Sequence, residues 1–296
     1  MRRILILSLF ILPASLALAA TAQITAQADA LDLKGSYVEA RKLLLDAVPG
    51  AASAKEQAEL YWRASRETLN LGDKADDAKK PQGDILALFT EGEGYADKAI
   101  AADPQNDLGY YWKSSNIGRW GQTKGILNSL FKAGPMKDLL VKELSLNVNR
   151  TDAYYVLGQL YRELPGWPVS FGNIDAAVSL GRKAVDLRNA QFQAGTEKDL
   201  VYNFSNELAK TLWKRNWSAD KRLAEQKNKT EKLASATTAL DKGSWYEASV
   251  TLKNMSDRDE AKMLVQAVVA DLQKVADRNA DQNKDLKKAV DLLNGW

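Results

Sequence analysis

The stretch Tyr154-Tyr155-Val156-Leu157-Gly158-Gln159-Leu160-Tyr161 limits the fold more than any other in the chain. Tyr154, Leu157, Gly158 and Tyr161 fall at the i, i+3, i+4, i+7 spacing that sets side chains on one face of an α-helix. Pro165-Gly166-Trp167-Pro168 follows at once, and no helix carries that tetrapeptide. The segment therefore reads as a helix, an unusually long connection, and a second helix that Asn173 caps. Ala177, Gly181 and Ala184 then form a small-residue face on the second helix, as Ala96 and Ala99 do earlier, and such faces let a neighbouring helix approach closely.

An internal repeat widens the pattern. Ala30-Leu31-Asp32-Leu33-Lys34-Gly35-Ser36-Tyr37-Val38-Glu39-Ala40 returns, one residue shorter, as Ala239-Leu240-Asp241-Lys242-Gly243-Ser244-Trp245-Tyr246-Glu247-Ala248. Each copy predicts a helix ending at glycine, a serine cap and a second helix, the late one continuing through Leu252 and Met255. Ala99-x4-Pro104 predicts another helix end, with Asn106 or Asp107 capping the next. The polar run from Asp73 to Asp84 reads as a loop. Asp257 to Leu293 reads as one long helix with Ala261, Leu264, Val265, Val268, Leu272 and Val275 on one face, and its end as a terminal cap. Strand signals are nearly absent, so the fold class is all-α.

Tyr154-x2-Leu157-Gly158-x2-Tyr161 resembles the W-x2-L-G-x2-Y signature of the tetratricopeptide repeat, with Tyr in the place of Trp. The resemblance implies a right-handed superhelical solenoid of stacked helical hairpins. It is sharpest within 58–224, fainter around Leu208 to Ala224, and closed by capping helices over 244–296. In that frame Leu157, Gly158, Tyr161, Ala177 and Ala184 lie inside a hairpin with Tyr154. Tyr155, Gln159 and Arg162 turn toward a concave groove, with Tyr111 and Ser115 one repeat earlier and Asn206 and Lys210 one later. Tyrosine rings beside Arg, Asn and Gln suit a peptide or an acidic ligand.

The N-terminus carries Arg2 and Arg3, an apolar run from Ile4 to Leu18 and small residues, the layout of a secretory signal peptide spanning 1–22 with cleavage after Ala19 or Ala22. No later stretch has a membrane span's length. The chain has no cysteine, although an exported protein meets an oxidising compartment. The formal charge of +3 includes Arg2 and Arg3, too little basic excess for a nucleic-acid partner.

Histidine is absent as well, which removes the commonest general base and the usual zinc sites. Asp76-Asp77 and Asp257-x-Asp259-Glu260 are the acidic clusters left to consider, and their polar surroundings point to solvated charge. No metal site, phosphate loop, cofactor or catalytic residue is assigned. The cations from Lys214 to Lys232, interspersed with Asp220, Glu225 and Glu231, read as a solvated helix face. Trp112, Trp120 and the segment Gly125 to Gly134 form an apolar insertion that either packs on the helices or presents a lipophilic surface through Ile126, Leu127, Leu130 and Phe131.

Glu59 to Arg66, Gly94 to Ile100, Tyr111-Trp112-Lys113 with Trp120-Gly121, and Tyr155 to Tyr161 occur in the order seen in two branches of the tetratricopeptide superfamily. The chain resembles the periplasmic component associated with tripartite (TRAP) solute transporters and, more distantly, the regulator-of-microtubule-dynamics proteins. Leu164-Pro165-Gly166-Trp167-Pro168 with Phe171-Gly172 is most similar to the first, although the lipobox cysteine that tethers lipoprotein members is lacking. That resemblance implies a non-catalytic periplasmic scaffold that pairs with a protein such as a solute-binding protein, carries a small or lipophilic ligand and forms a homo-oligomer. A general envelope assembly scaffold and an α-helical carbohydrate-active enzyme are the alternatives. Trp167 and Phe171 are expected to pin the loop onto the solenoid.

Overall fold

The computed structural model describes residues 14–125 and 130–296. It is all-α among the described residues and divides into two compact units, 1–139 and 140–296.

The first unit contains α1 (Ala14–Leu33), α2 (Tyr37–Ala47), α3 (Ala54–Asp77), α4 (Gln82–Ala102) and α5 (Asp107–Lys124), and the unit boundary falls within α6 (Leu130–Leu146). The Arg2-Arg3 head and most of the apolar run of the expected export signal lie outside the described residues. So do Ile126 and Leu127. Helix α1 runs through both expected cleavage positions, and Thr21 donates to Glu56 Oε2 at 2.7 Å.

Each connection has a local cause. Gly35 adopts φ +71°, where a side chain would be strained, and releases the chain from α1 to α2. Ser36 stands at the N-cap of α2 but makes no side-chain capping bond. Ser53 caps α3 by accepting from the Glu56 amide, and Asn106 caps α5 by accepting from the Gly109 amide. The loop expected over Asp73 to Asp84 is mostly helix. Helix α3 continues to Asp77 and α4 begins at Gln82, leaving a short turn through Lys79 at φ 53°.

Helix α4 packs between α3 and α5 at a distance that only glycine permits. A Cβ on Gly72 would sit 2.4 Å from Phe89 Cε1, and one on Gly92 would sit 2.1 Å from Asn116 Oδ1. The space left at Gly92 is filled by polar bonds. Ser65 donates to the Gly92 carbonyl at 2.7 Å, and Asn116 Nδ2 donates to Ser65 Oγ at 3.0 Å. Ala96, Ala99 and Phe89 are fully buried beside this junction.

The second unit contains α7 (Thr151–Glu163), α8 (Ile174–Gln193), α9 (Tyr202–Arg215), α10 (Ala219–Ser235), α11 (Ala239–Ser244), α12 (Asp257–Gln273) and α13 (Ala280–Gly295). Helices α7 and α8 form the hairpin read from the sequence. Tyr154, Leu157, Ala177 and Ala184 are buried, and a Cβ on Gly158 would lie 3.3 Å from the Ala177 carbonyl and from the Gly181 amide. Asn173 caps α8 by accepting from the amides of Asp175 and Ala176. Leu157, Leu180, Leu208 and Leu212 are all but sealed from solvent. Each such burial contributes roughly 1.5–3 kcal/mol.

Three expectations for this unit are corrected. The second copy of the repeated corner is not a helix-turn-helix. Gly243 lies inside α11, a single 3₁₀ turn Tyr246–Ser249 follows, and Leu252 and Met255 lie in irregular backbone. Gly243 serves close packing, because a Cβ there would sit 2.9 Å from both Leu180 Cδ2 and Tyr154 Cε1. Helix α9 does not pair along α10; its long partner is α12, while α10 lies on the 3₁₀ turn. The expected single C-terminal helix is two, broken over 274–279 before Asn279 starts α13 with a capping box.

Candidate functional site

Five of the residues expected in a groove come together in the second unit. Tyr155 stacks on Phe204 with ring centroids 4.5 Å apart, and its hydroxyl accepts from Asn203 Nδ2 at 2.6 Å. Gln159 also hydrogen-bonds Tyr155, whose phenol is pushed up by burial and by the nearby Glu207 charge. Arg162 is buried, so it is not displayed on a groove. Its Nη2 lies 2.5 Å from Glu207 Oε2, Nη1 donates to the Glu207 carbonyl and to Thr211 Oγ1, and Nε donates to Glu163.

Asn206 is likewise fully buried, because α13 lies over it: its Nδ2 donates to the Asp285 carbonyl at 3.0 Å. Lys210 reaches Glu207 Oε1 at 3.3 Å. Lys288, from α13, pairs with the same carboxylate and donates to Asn203 Oδ1 at 2.6 Å. Glu207 thus gathers cations from α7, α9 and α13. Burial alone would raise its pKa, but Arg162, Lys288 and Lys210 bring it down to about 2. Beyond them, Trp296 stacks on Trp213 at 4.4 Å, and the Arg258 guanidinium lies 4.6 Å from the Trp213 ring. Tyr111 and Ser115 lie half-buried on α5 of the first unit, where Tyr111 meets Trp112 edge to face at 5.0 Å.

Asn203, Glu207 and Lys288 are not legible in the sequence as site residues. Asn203, Asn206 and Lys210 share one helical face with Glu207, which is a usable local signal. Lys288 gives none, because Asn203 lies 85 positions away.

The loop 164–173 is the second feature. Its backbone is tied down: Gly172 N donates to the Pro165 carbonyl at 2.9 Å, Asn173 N to the Tyr161 carbonyl at 2.8 Å, and Val169 N to the Gly166 carbonyl at 3.1 Å. Gly172 is required there, since a Cβ would sit 1.9 Å from the Leu164 oxygen. Phe171 does pack on Tyr161, edge to face at 5.2 Å. Trp167 does not pin the loop; it is 90% exposed, and Val169 beside it is 70% exposed. The peptide bond between Trp167 and Pro168 is cis.

A third feature overturns two charge readings. Arg215, Arg222 and Lys229, expected on a solvated face, are buried, and so are Asp257 and Glu260. Arg215 Nε lies 2.8 Å from Asp257 Oδ2 and its Nη1 lies 2.7 Å from both Glu247 Oε2 and Asp175 Oδ1. Arg222 pairs with Glu260 and donates to the Met255 carbonyl at 2.6 Å. Arg182 Nη1 lies 2.7 Å from Glu260 Oε1, and Lys229 Nζ 2.7 Å from Glu247 Oε2. Four cations meet the carboxylates of Asp175, Glu247, Asp257 and Glu260, which compensates each charge removed from water. Despite its burial, Glu247 is held far below the ordinary carboxylate range, above all by its bonds to Arg215. The seven-residue spacing of Arg222 and Lys229 on α10 is the overlooked signal, since sevens along a helix share one face, whereas Arg215 ends α9 and gives no such local signal. Among the described residues no group of three or more His, Cys, Asp or Glu is placed to hold a metal ion. No described helix is long and apolar enough to cross a membrane.

In the first unit Glu67 is fully buried on α3 beside Arg66, whose Nη2 donates to Glu67 Oε1 and to Asp29 Oδ1, both at 2.7 Å. Burial pushes the Glu67 carboxyl up to about 7 in spite of Arg66.

Residues 24–168 match the family model described as regulator of microtubule dynamics protein 1-3, an all-helical family. The match begins in α1 and ends at Pro168, in the loop that carries Trp167. No curated protein matches the chain.

Proposed function

We propose that the chain is a non-catalytic, exported helical scaffold of the tetratricopeptide type, and that it binds a protein partner through the loop carrying Trp167. The observation that carries this reading is the exposure of Trp167 on a backbone that hydrogen bonds and Gly172 hold in one shape. A large aromatic kept out of the core adds nothing to the fold, whereas interfaces concentrate their binding energy in Trp, Tyr and Arg. A loop already ordered loses little entropy on binding. The charged groups of the second unit support the same reading, since the buried carboxylates of Glu207, Glu247, Asp257 and Glu260 are paired with cations within the chain.

The partner class we favour is a periplasmic solute-binding protein, with the chain as a transporter-associated component. The order of the aromatic and glycine motifs and the Leu164 to Gly172 loop support it. In-cell photocrosslinking from the loop, followed by identification of the captured protein, tests it. A solute-binding protein captured by the unaltered chain and lost in Trp167→Ala is the expected result. Capture of cell-wall or outer-membrane machinery instead moves the reading to an envelope assembly scaffold.

The family match over 24–168 favours a second reading, in which the same scaffold binds a filament-forming protein. Co-sedimentation of the purified chain with polymerised tubulin, reversed by Trp167→Ala, would establish it in place of the first.

A further inference from the structure

We propose that a cleft between α8, α9 and α12 binds a small uncharged organic molecule, an apolar body the size of a substituted ring carrying a hydrogen-bond acceptor that meets Arg188 Nε. The cleft uses none of the residues of the Trp167 loop, so either reading can fail alone.

Three helices of the second unit build the cleft, which holds about 210 Å³. Val185 and Arg188 come from α8, Phe204 from the first turn of α9, and Leu264, Val268 and Asp271 from α12. Packed interiors leave few voids larger than a water molecule, so a space of this size between packed helices calls for an occupant. An apolar cavity of about 150 Å³ suffices for benzene, whereas drug-sized ligands take about 300 Å³ or more. The space therefore suits a single ring with a short branch. Its walls are set before anything enters: Val185 and Val268 are buried, and the Phe204 ring is stacked on Tyr155 at 4.5 Å. A preformed site loses little entropy on binding.

Arg188 supplies the specific contact. It is 9% exposed, and its terminal nitrogens are engaged: Nη1 lies 2.7 Å from Glu197 Oε2, and Nη2 donates to Thr151 Oγ1 at 3.0 Å and to Asp152 Oδ2 at 3.4 Å. Those bonds hold the guanidinium in place. Its remaining donor, Nε, is buried and meets no hydrogen-bond partner among the described residues. A buried donor left unmatched costs free energy, more so on a charged group, and a ligand oxygen set against it recovers that cost. The surrounding charge decides which oxygen. Glu197 and Asp152 already face Arg188, so a ligand carboxylate would add a further anion to a cation that is compensated. A carbonyl oxygen takes the bond without that repulsion. Asp271, the carboxylate on the lining, pairs with Lys274 at 3.4 Å, so the cleft does not call for a cationic ligand either.

Acetophenone, isopropylbenzene and benzoate share a ring and a branched shape, and differ in what they offer Arg188: a carbonyl, no acceptor, and an anion. Each is titrated into the full chain while the valine and leucine methyls are observed by NMR. Acetophenone should shift the methyls of Val185, Leu264 and Val268 saturably and bind about tenfold or more tighter than either of the others. Ala267 also lines the cleft and is exposed, so Ala267→Phe fills the space without entering the core and should abolish the saturable shifts. Arg188→Met should bring acetophenone down to the level of isopropylbenzene. Should that variant not fold, the comparison of probes on the unaltered chain decides alone. Equal binding of acetophenone and isopropylbenzene, tighter binding of benzoate, no saturable shift at these methyls, or shifts that persist in Ala267→Phe would each overturn the proposal.

Discussion

Lys288 of the last helix reaches Asn203 Oδ1 at 2.6 Å, across 85 positions of sequence, and pairs with Glu207 in the same contact. Glu207 is thereby held between a helix at the start of the second unit and one at the chain's end. Its pKa of about 2 lies below the ordinary 4.5, so the folded state releases this proton more readily than the unfolded chain. The stabilisation it brings is present in full above about pH 4.5 and is lost as pH falls through about 2. Urea unfolding of Glu207→Gln should show a loss of about 3–5 kcal/mol at pH 7, the cost of leaving Arg162 buried without its partner. The difference from the unaltered chain should shrink between pH 4.5 and 2.

Glu67 carries the opposite sign. Its folded pKa of about 7 exceeds the ordinary 4.5, so the folded state holds the proton longer. Stability in the first unit should fall as pH rises from about 4.5 to about 7 and level off above, with a slope of at most about 1.4 kcal/mol per pH unit. Glu67→Gln, which stays neutral, should lack that slope in denaturant titrations across the interval.

Glycines of α4 and α3 separate close packing from helix propensity. Gly92→Ala and Gly72→Ala force a methyl against Asn116 and Phe89 and should cost about 1–3 kcal/mol each. Gly94, two positions along the same helix as Gly92, has open space where its Cβ would stand, with nothing within 4 Å, and Gly94→Ala should stabilise by up to about 1 kcal/mol. Thermal melts of the three variants check the contrast.

The ionic cluster predicts a similar contrast among cations that neighbour each other in sequence. Arg215→Met leaves Asp257 and Glu247 buried with part of their compensation gone and should cost about 3–5 kcal/mol. Lys227→Met, at an exposed position of α10, should change stability by less than about 0.5 kcal/mol. Urea unfolding of both variants beside the unaltered chain measures the difference.

What is legible in the sequence is local. The face of Tyr154, Leu157, Gly158 and Tyr161, the caps at Asn106 and Asn173 and the helix end before Pro104 depend on residues within a turn or two of one another. The repeated Gly-Ser corner misleads because the same dipeptide meets different neighbours. Gly35 takes a left-handed turn, while Gly243 is pressed inside α11 against Leu180 and Tyr154. Helical spacing gives the faces on which Arg162 and Asn206 lie, but a face does not say what covers it, and α13 covers Asn206 from the far end of the chain. The cations of α10 look solvated because their partners Glu247, Asp257 and Glu260 lie in other elements. Trp167 is expected to be buried because tryptophans usually are, and its exposure is a property of the whole loop.

The central claim is that the exposed Trp167 loop binds a protein partner, and the most direct measurement is partner capture by Trp167→Ala beside the unaltered chain, with thermal stability recorded for both. Loss of about tenfold or more in capture, with stability changed by less than about 0.5 kcal/mol, is the predicted result. Equal capture by the two chains would contradict it.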